Sequence, residues 1–285
     1  LQLLRILFLI ENKTMTIRKI ASILCFLLVI INAQAQDYYD ENYLRYDDYC
    51  YDENIKSVLL YKDGFELSMP YLKLNSDEKL RLSFDDLLAR GNEYQYTVEL
   101  CDANWEASEL MQMEYLEGMY TEYFGDAESS INTKTSYMHY ETTVPSQDMT
   151  ITKSGNYLLK VFIADEPDNI VITRRFYIYE TGLKVMAEAK LPRTAESLIA
   201  QHELNVNLDI TSYPIENVYG DLKVYVQQNG RKDNIKILTE PKSISGNTIK
   251  YNIVRDILFE AGNEYRGLDI RSLKLPTPQI VKTYE

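Results

Sequence analysis

Apolar and polar residues alternate along most of the chain from Ser57 onward. Val58-Leu59-Leu60-Tyr61 precedes the turn Lys62-Asp63-Gly64, Leu72 and Leu74 follow, and Leu80, Leu82 and Phe84 occupy alternate positions. After Arg90-Gly91-Asn92 the pattern returns at Tyr94, Tyr96, Val98 and Leu100. Period two between turn residues predicts half-buried strands. Residues 156–163 (NYLLKVFI) and 170–179 (IVITRRFYIY), separated by the turn-forming Ala164-Asp165-Glu166-Pro167-Asp168-Asn169, predict a hairpin, and their dense apolar character gives them a buried place. A second block starts near Leu183. Leu204, Val206, Leu208 and Ile210 alternate, as do Leu222, Val224 and Val226, then Ile249, Tyr251 and Ile253, and Gln228-Asn229-Gly230-Arg231 carries the Asn-Gly hairpin signal.

The fold class these patterns predict is all-β, with two consecutive immunoglobulin-like β-sandwich domains at 51–180 and 183–285 and a linker at Glu180-Thr181-Gly182. The chain stops at Glu285 without a closing strand pattern, so the second domain is expected to be incomplete. Ser154-Gly155-Asn156-Tyr157 places a glycine turn before a tyrosine that opens the penultimate strand of the first domain, as in the tyrosine corner of such sandwiches. Tyr157 is therefore expected to be structural.

The N-terminal pattern is different. Met15 is followed by Thr16-Ile17-Arg18-Lys19, a twelve-residue apolar run from Ile20 to Ile31, and Ala33-Gln34-Ala35. These are the parts of a signal peptide over 15–35, cleaved before Gln36. A run of that length spans only ~18 Å of helix against a ~30 Å hydrocarbon core, so direct membrane insertion is not expected. Cys25 follows Ser22-Ile23-Leu24, which does not fit a lipoprotein signal. Residues 1–14 read as an upstream translated extension, and residues 36–50 as an acidic, tyrosine-rich leader. The stretch 37–51 (DYYDENYLRYDDYCY) holds six tyrosines and five acids, which suits either a solvated leader or an arm that orders on a partner.

Charge and composition narrow the function. The chain has 30 Lys+Arg against 43 Asp+Glu, a net charge of −13. Removing residues 1–35 takes away Arg5, Lys13, Arg18, Lys19 and Glu11, which leaves 26 basic and 42 acidic residues and a net charge of −16. An acidic surface repels phosphate backbones, so nucleic acid is not an expected partner. Of 24 tyrosines, many fall in the strands, where aromatic residues are favoured. Cys50 and Cys101 remain in the exported part. They are either bridged or two unpaired thiols, and a domain of this size favours the second.

Catalytic signatures are missing. No Gly-rich phosphate loop, G-x-S-x-G, H-E-x-x-H or C-x-x-C occurs, and His139 and His202 lie in different expected domains. Asp85-Asp86, and Asp102 with Glu106 around Trp105, have the residue types of a glycosidase pair. In so acidic a chain, turn chemistry accounts for them as well. The expectation is a protein that is not an enzyme and has no cofactor and no metal. The long excursion 102–140 carries Trp105, Met111, Met113, Tyr115, Met119, Tyr120, Tyr123 and Phe124, residue types that interfaces favour. Trp105, Tyr115, Tyr120 and Tyr123 are the candidate partner-binding residues; the competing reading makes Trp105 a core residue.

Taken in order, Ile55–Tyr61, Phe65–Pro70, Leu80–Leu87, Cys101-Asp102-Ala103-Asn104-Trp105, Tyr115-Leu116-Glu117-Gly118, Tyr137-Met138-His139-Tyr140, Ser154–Tyr157 and Thr173-Arg174-Arg175-Phe176 resemble the plug proteins of the type IX secretion system of Bacteroidota, formerly a domain of unknown function. The resemblance continues through Gln228–Arg231 and Gly262-Asn263-Glu264-Tyr265-Arg266 to Leu273. It implies a periplasmic protein, associated with the outer membrane through its partner, which binds and plugs the periplasmic opening of the outer-membrane β-barrel translocon. An exported glycan-binding β-sandwich is the alternative.

Overall fold

In the computed structural model, which describes residues 43–89, 91–192, 201–252 and 257–261, the chain divides between Tyr179 and Glu180 into two compact units. The extension 1–14, the signal peptide 15–35 and residues 36–42 of the leader lie outside the described residues.

The first unit carries strands β1 (Tyr49–Cys50), β2 (Ile55–Lys62), β3 (Tyr71–Lys73), β4 (Leu80–Asp86), β5 (Tyr94–Cys101), β6 (Leu116–Gly118), β7 (Thr121–Tyr123), β8 (Glu128–Ser129), β9 (Met138–Val144), β10 (Met149–Ile151), β11 (Gly155–Ile163) and β12 (Ile170–Tyr179). One sheet runs β1-β12-β11-β5-β7, with β3 joining β12 in parallel. Another runs β2-β4-β9-β8, and β6 pairs with β10 alone. Alternate side chains of β4 (Leu80, Leu82, Phe84), β5 (Tyr94, Tyr96, Val98) and β11 (Tyr157, Leu159, Val161) share one buried core, so the two large sheets face each other as a sandwich.

That core is unusually aromatic. Phe84 sits with ring centroids 5.1 Å from Tyr94, 5.3 Å from Phe124 and 5.1 Å from Tyr140, and Tyr157 stacks on Phe176 at 5.4 Å. Burying a phenol requires an acceptor for its hydroxyl. Tyr94 donates to Asp86 Oδ2 (3.1 Å), Tyr96 to the Thr143 carbonyl (3.1 Å) and Tyr140 to the Asn92 carbonyl (2.7 Å). Tyr157 donates to the carbonyl of Lys153, four residues upstream, at 2.9 Å. This is the hydrogen bond of a tyrosine corner.

The second unit has strands β13 (Lys184–Lys190), β14 (Gln201–Asp209), β15 (Val224–Val226), β16 (Lys236–Leu238), β17 (Ser243–Ser245), β18 (Thr248–Tyr251) and β19 (Leu258–Glu260). Its sheet runs β13-β14-β18-β17 with β19 also on β14, and its core holds Val206, Leu208, Leu238, Ile249 and Tyr251. One local expectation changes: Leu222 follows a short helix, α1 (Val218–Asp221), whose first turn is capped by the Asn217 side chain, and so precedes the strand. Asn229 and Gly230 take positive φ (52° and 72°) in a turn that the Arg231 N–H closes on the Gln228 carbonyl (3.0 Å), and β15 and β16 pair antiparallel on either side, so the hairpin forms, with a loop over 227–235. Ile253 lies outside the described residues.

Candidate interaction surface

Sheet residues that point away from the core of the first unit are nonetheless buried. Thr97 and Gln95 of β5, Leu158 of β11 and Thr173 of β12 are all under 9% exposed. Part of their cover is the segment expected as a leader. Tyr49–Cys50 pairs with Ile172–Thr173 as β1, and the residues before it lie across the sheet. Thr173 donates to the Asp47 carbonyl (2.7 Å), Arg175 Nε donates to the Tyr46 carbonyl (2.7 Å), and the Tyr46 hydroxyl donates to Glu99 Oε1 (2.5 Å). Leu158 sits in register between Glu99 and Arg175, so Tyr46 spans it like a strap. Burial first, and then the Glu99 carboxylate, push the Tyr46 phenol above its ordinary range.

Trp105 belongs to this outer layer rather than to the core. Asp102 builds a turn in which its carboxylate accepts the N–H groups of Asn104 (2.8 Å) and Glu106 (2.9 Å), and Trp105 takes a left-handed φ of 67°. For a bulky residue that backbone is costly, and it persists because the ring is clamped. The Arg175 guanidinium lies 4.3 Å over its face, and Tyr177, itself stacked on Tyr71 at 4.6 Å, meets it edge-on at 5.3 Å. Arg175 thus covers one face of Trp105, and Tyr71 and Tyr177 cover one face of each other.

Tyr115 requires a correction: it is 2% exposed, belongs to the core and meets Tyr157 at 6.0 Å, so it cannot anchor a partner. The cause is the β6–β10 pair, which sets Leu116 opposite Ile151 and brings the Thr152 N–H to the Tyr115 carbonyl (2.9 Å). Gly118 makes this approach possible. Its φ is +84°, and a Cβ there would stand 2.1 Å from the Asp148 carbonyl oxygen.

Tyr120 (38%) and Tyr123 (55%) are exposed at the β7 edge of the sheet, with the Tyr123 hydroxyl 3.3 Å from Asp165. The Thr97 hydroxyl donates to the Tyr120 carbonyl (2.7 Å) and accepts from Gln112 Nε2 (3.2 Å). Gln112 lies between Met111 and Met113, which with Met119 and Leu110 are also exposed. Thus the structure brings Tyr120 and Tyr123 together with three methionines, places Trp105 over β12, and buries Tyr115. The sequence marked these tyrosines and methionines alike as interface residue types; what it did not mark is Gln112, whose side chain ties the Met111–Met113 stretch to Thr97.

Other candidate chemistry has structural partners of its own. Asp85 bonds His139 Nδ1 at 2.7 Å, and Asp86, 1% exposed, accepts from Tyr94 and from the Leu88 N–H. Cys50 and Cys101 are both free thiols. Cys50 lies against the core, whereas Cys101, next to core-facing Leu100, points to the opposite face of the sheet. Burial, then Glu99, push the Cys101 thiol up to about 12. A groove of about 310 Å³ beside β3 is lined by Leu72, Ser76, Glu78, Met149 and Ile178. There Glu78 already pairs with Lys62 (2.5 Å) and Ser76 donates to the Lys73 carbonyl (2.6 Å).

Comparison with known proteins agrees with this architecture. Residues 55–180 match the family model described as the type 9 secretion system plug protein 1st domain. A crystal structure of a hypothetical protein from Parabacteroides merdae is similar with a TM-score of 0.76 and 31% sequence identity, over 82% of this chain and 59% of that one. This chain therefore spans under two thirds of the length of that relative. No curated protein matches the chain.

Proposed function

We propose, from the match of residues 55–180 to the first domain of the type 9 secretion system plug protein family, that the chain is a non-enzymatic periplasmic component of this system that binds and plugs the periplasmic opening of the outer-membrane translocon barrel. The family match carries the reading. Physical argument supports it, because a barrel wide enough for protein cargo leaks solutes unless its lumen is blocked. A sandwich with a tightly packed aromatic core suits a part that must hold its shape. The exposed Tyr120, Tyr123 and methionine surface is what the chain offers to the barrel.

The test is a pull-down from solubilised outer membranes with the full chain, then with Tyr120→Ala/Tyr123→Ala. The barrel is expected to co-purify with the first and to bind roughly tenfold more weakly to the second, at an unchanged melting temperature. Failure of the unaltered chain to retain any outer-membrane barrel would sink the reading.

A further inference from the structure

Between Asp102 and Ser130 the sequence carries eight carboxylates and no lysine or arginine. Glu109, Glu114, Glu117 and Asp126 are exposed, and none of them has an ion pair within 4 Å among the described residues. The same stretch exposes Met111 (69%), Met113 (68%) and Met119 (56%) beside Tyr120 and Tyr123. The backbone segments that carry them converge on one residue of β5. Gln112 and the Tyr120 carbonyl meet on the single hydroxyl of Thr97, so the Met111/Met113 pair and the Met119-Tyr120 turn stand over one point of β5.

An apolar patch inside an uncompensated acidic rim selects its occupant by charge. Anionic lipid and nucleic acid are repelled, and a neutral apolar surface would leave the carboxylates unmatched. Methionine, unbranched and polarizable, adapts to side chains of varied shape. We propose that this surface docks a cationic amphipathic segment of a partner protein, its large apolar side chains on Met111, Met113, Met119 and Tyr123 and its lysines or arginines on the carboxylates around them. The proposal rests on the reading of the chain as a docking subunit and names the chemistry of the segment it takes.

The probe is a synthetic peptide of about 18 residues made of leucine and lysine, with leucines on one helical face, alongside a twin carrying glutamate for lysine. It is titrated into the full chain labelled at the methionine methyl groups. The methyl signals of Met111, Met113 and Met119 are expected to shift, while those of Met69 and Met186, exposed elsewhere, stay in place. Met111→Ser/Met113→Ser should bind roughly tenfold more weakly, the Met→Leu pair should restore binding, and Glu109→Gln/Glu117→Gln should flatten the salt dependence. Equal binding of the glutamate twin, equal shifts at all five methyls, or full affinity of the serine variant would each overturn the proposal. The barrel reading fails separately: peptide bound at these methionines with no barrel retained upholds this surface and rejects the barrel. A barrel that excess peptide cannot displace rejects this surface and keeps the barrel.

Discussion

On the inner face of β5, β11 and β12 sit Tyr96, Val98, Tyr157, Leu159 and Phe176, and on the outer face of the same strands, one position along, sit Thr97, Glu99, Leu158, Thr173 and Arg175. Both faces are covered, by different means. The inner face meets a second sheet over many apolar contacts, so its stability is spread over area and ring packing. The outer face meets loop segments through a few directed bonds, at Thr97, Thr173 and Arg175, each of which holds a stretch of irregular backbone. Disturbing the inner face should unfold the first unit; disturbing the outer face should undress it.

Raising the pH is the strongest challenge to the inner face. Burial pushes the phenols of Tyr94, Tyr96 and Tyr157 above their ordinary value. The native state then holds these protons more tightly than the unfolded chain does. Stability is therefore intact below the unfolded value near 10 and is lost as pH climbs beyond it. Exposed phenols such as Tyr120 and Tyr123 ionise in the folded protein, whereas the phenolate absorbance of the buried set should appear together with loss of the near-ultraviolet dichroism, and ionisation of every tyrosine with that dichroism intact would contradict the burial. Next in size, Phe84→Ala removes a ring that touches three others and should cost about 3–5 kcal/mol in urea unfolding.

Arg175→Ala tests the outer face. It removes the donor to Tyr46 and the cover of Trp105, and should cost about 1–3 kcal/mol while opening Arg45 to trypsin before any global unfolding. Unchanged cleavage would mean that the strap is held by something else. Tyr157→Phe, the mildest change, keeps the ring and deletes one hydrogen bond to Lys153, about 0.5–1.5 kcal/mol by the same urea measurement.

Period two made the strands legible, because alternation is imposed directly by having one face in a core. The core positions of β4 and β5 follow from it residue by residue. The outer cover was not legible, since what buries Leu158 is a hydrogen-bonded strap more than a hundred positions away, and nothing in NYLLKVFI says which of two adjacent leucines faces the second sheet. The excursion shows the same limit. Tyr115 and Tyr120 look alike in a stretch without a period, and only the β6–β10 pairing, with Gly118 fitting under Asp148, turns the first inward and leaves the second out.

The strap also sets an order of events. Tyr46 rests on Arg175 across 129 positions, and Asp47 on Thr173 across 126. During synthesis, residues 43–51 emerge before any other described part of the first unit, yet the surface that receives them exists only once β12 has been made and paired. Closing so long a loop carries an entropic cost that only the finished sheet can offset, so this step comes late on the folding path. The earliest segment to appear is thus the last to settle, and until it does, a nascent chain keeps both a tyrosine-rich tail and the back of β11 open to whatever it meets first.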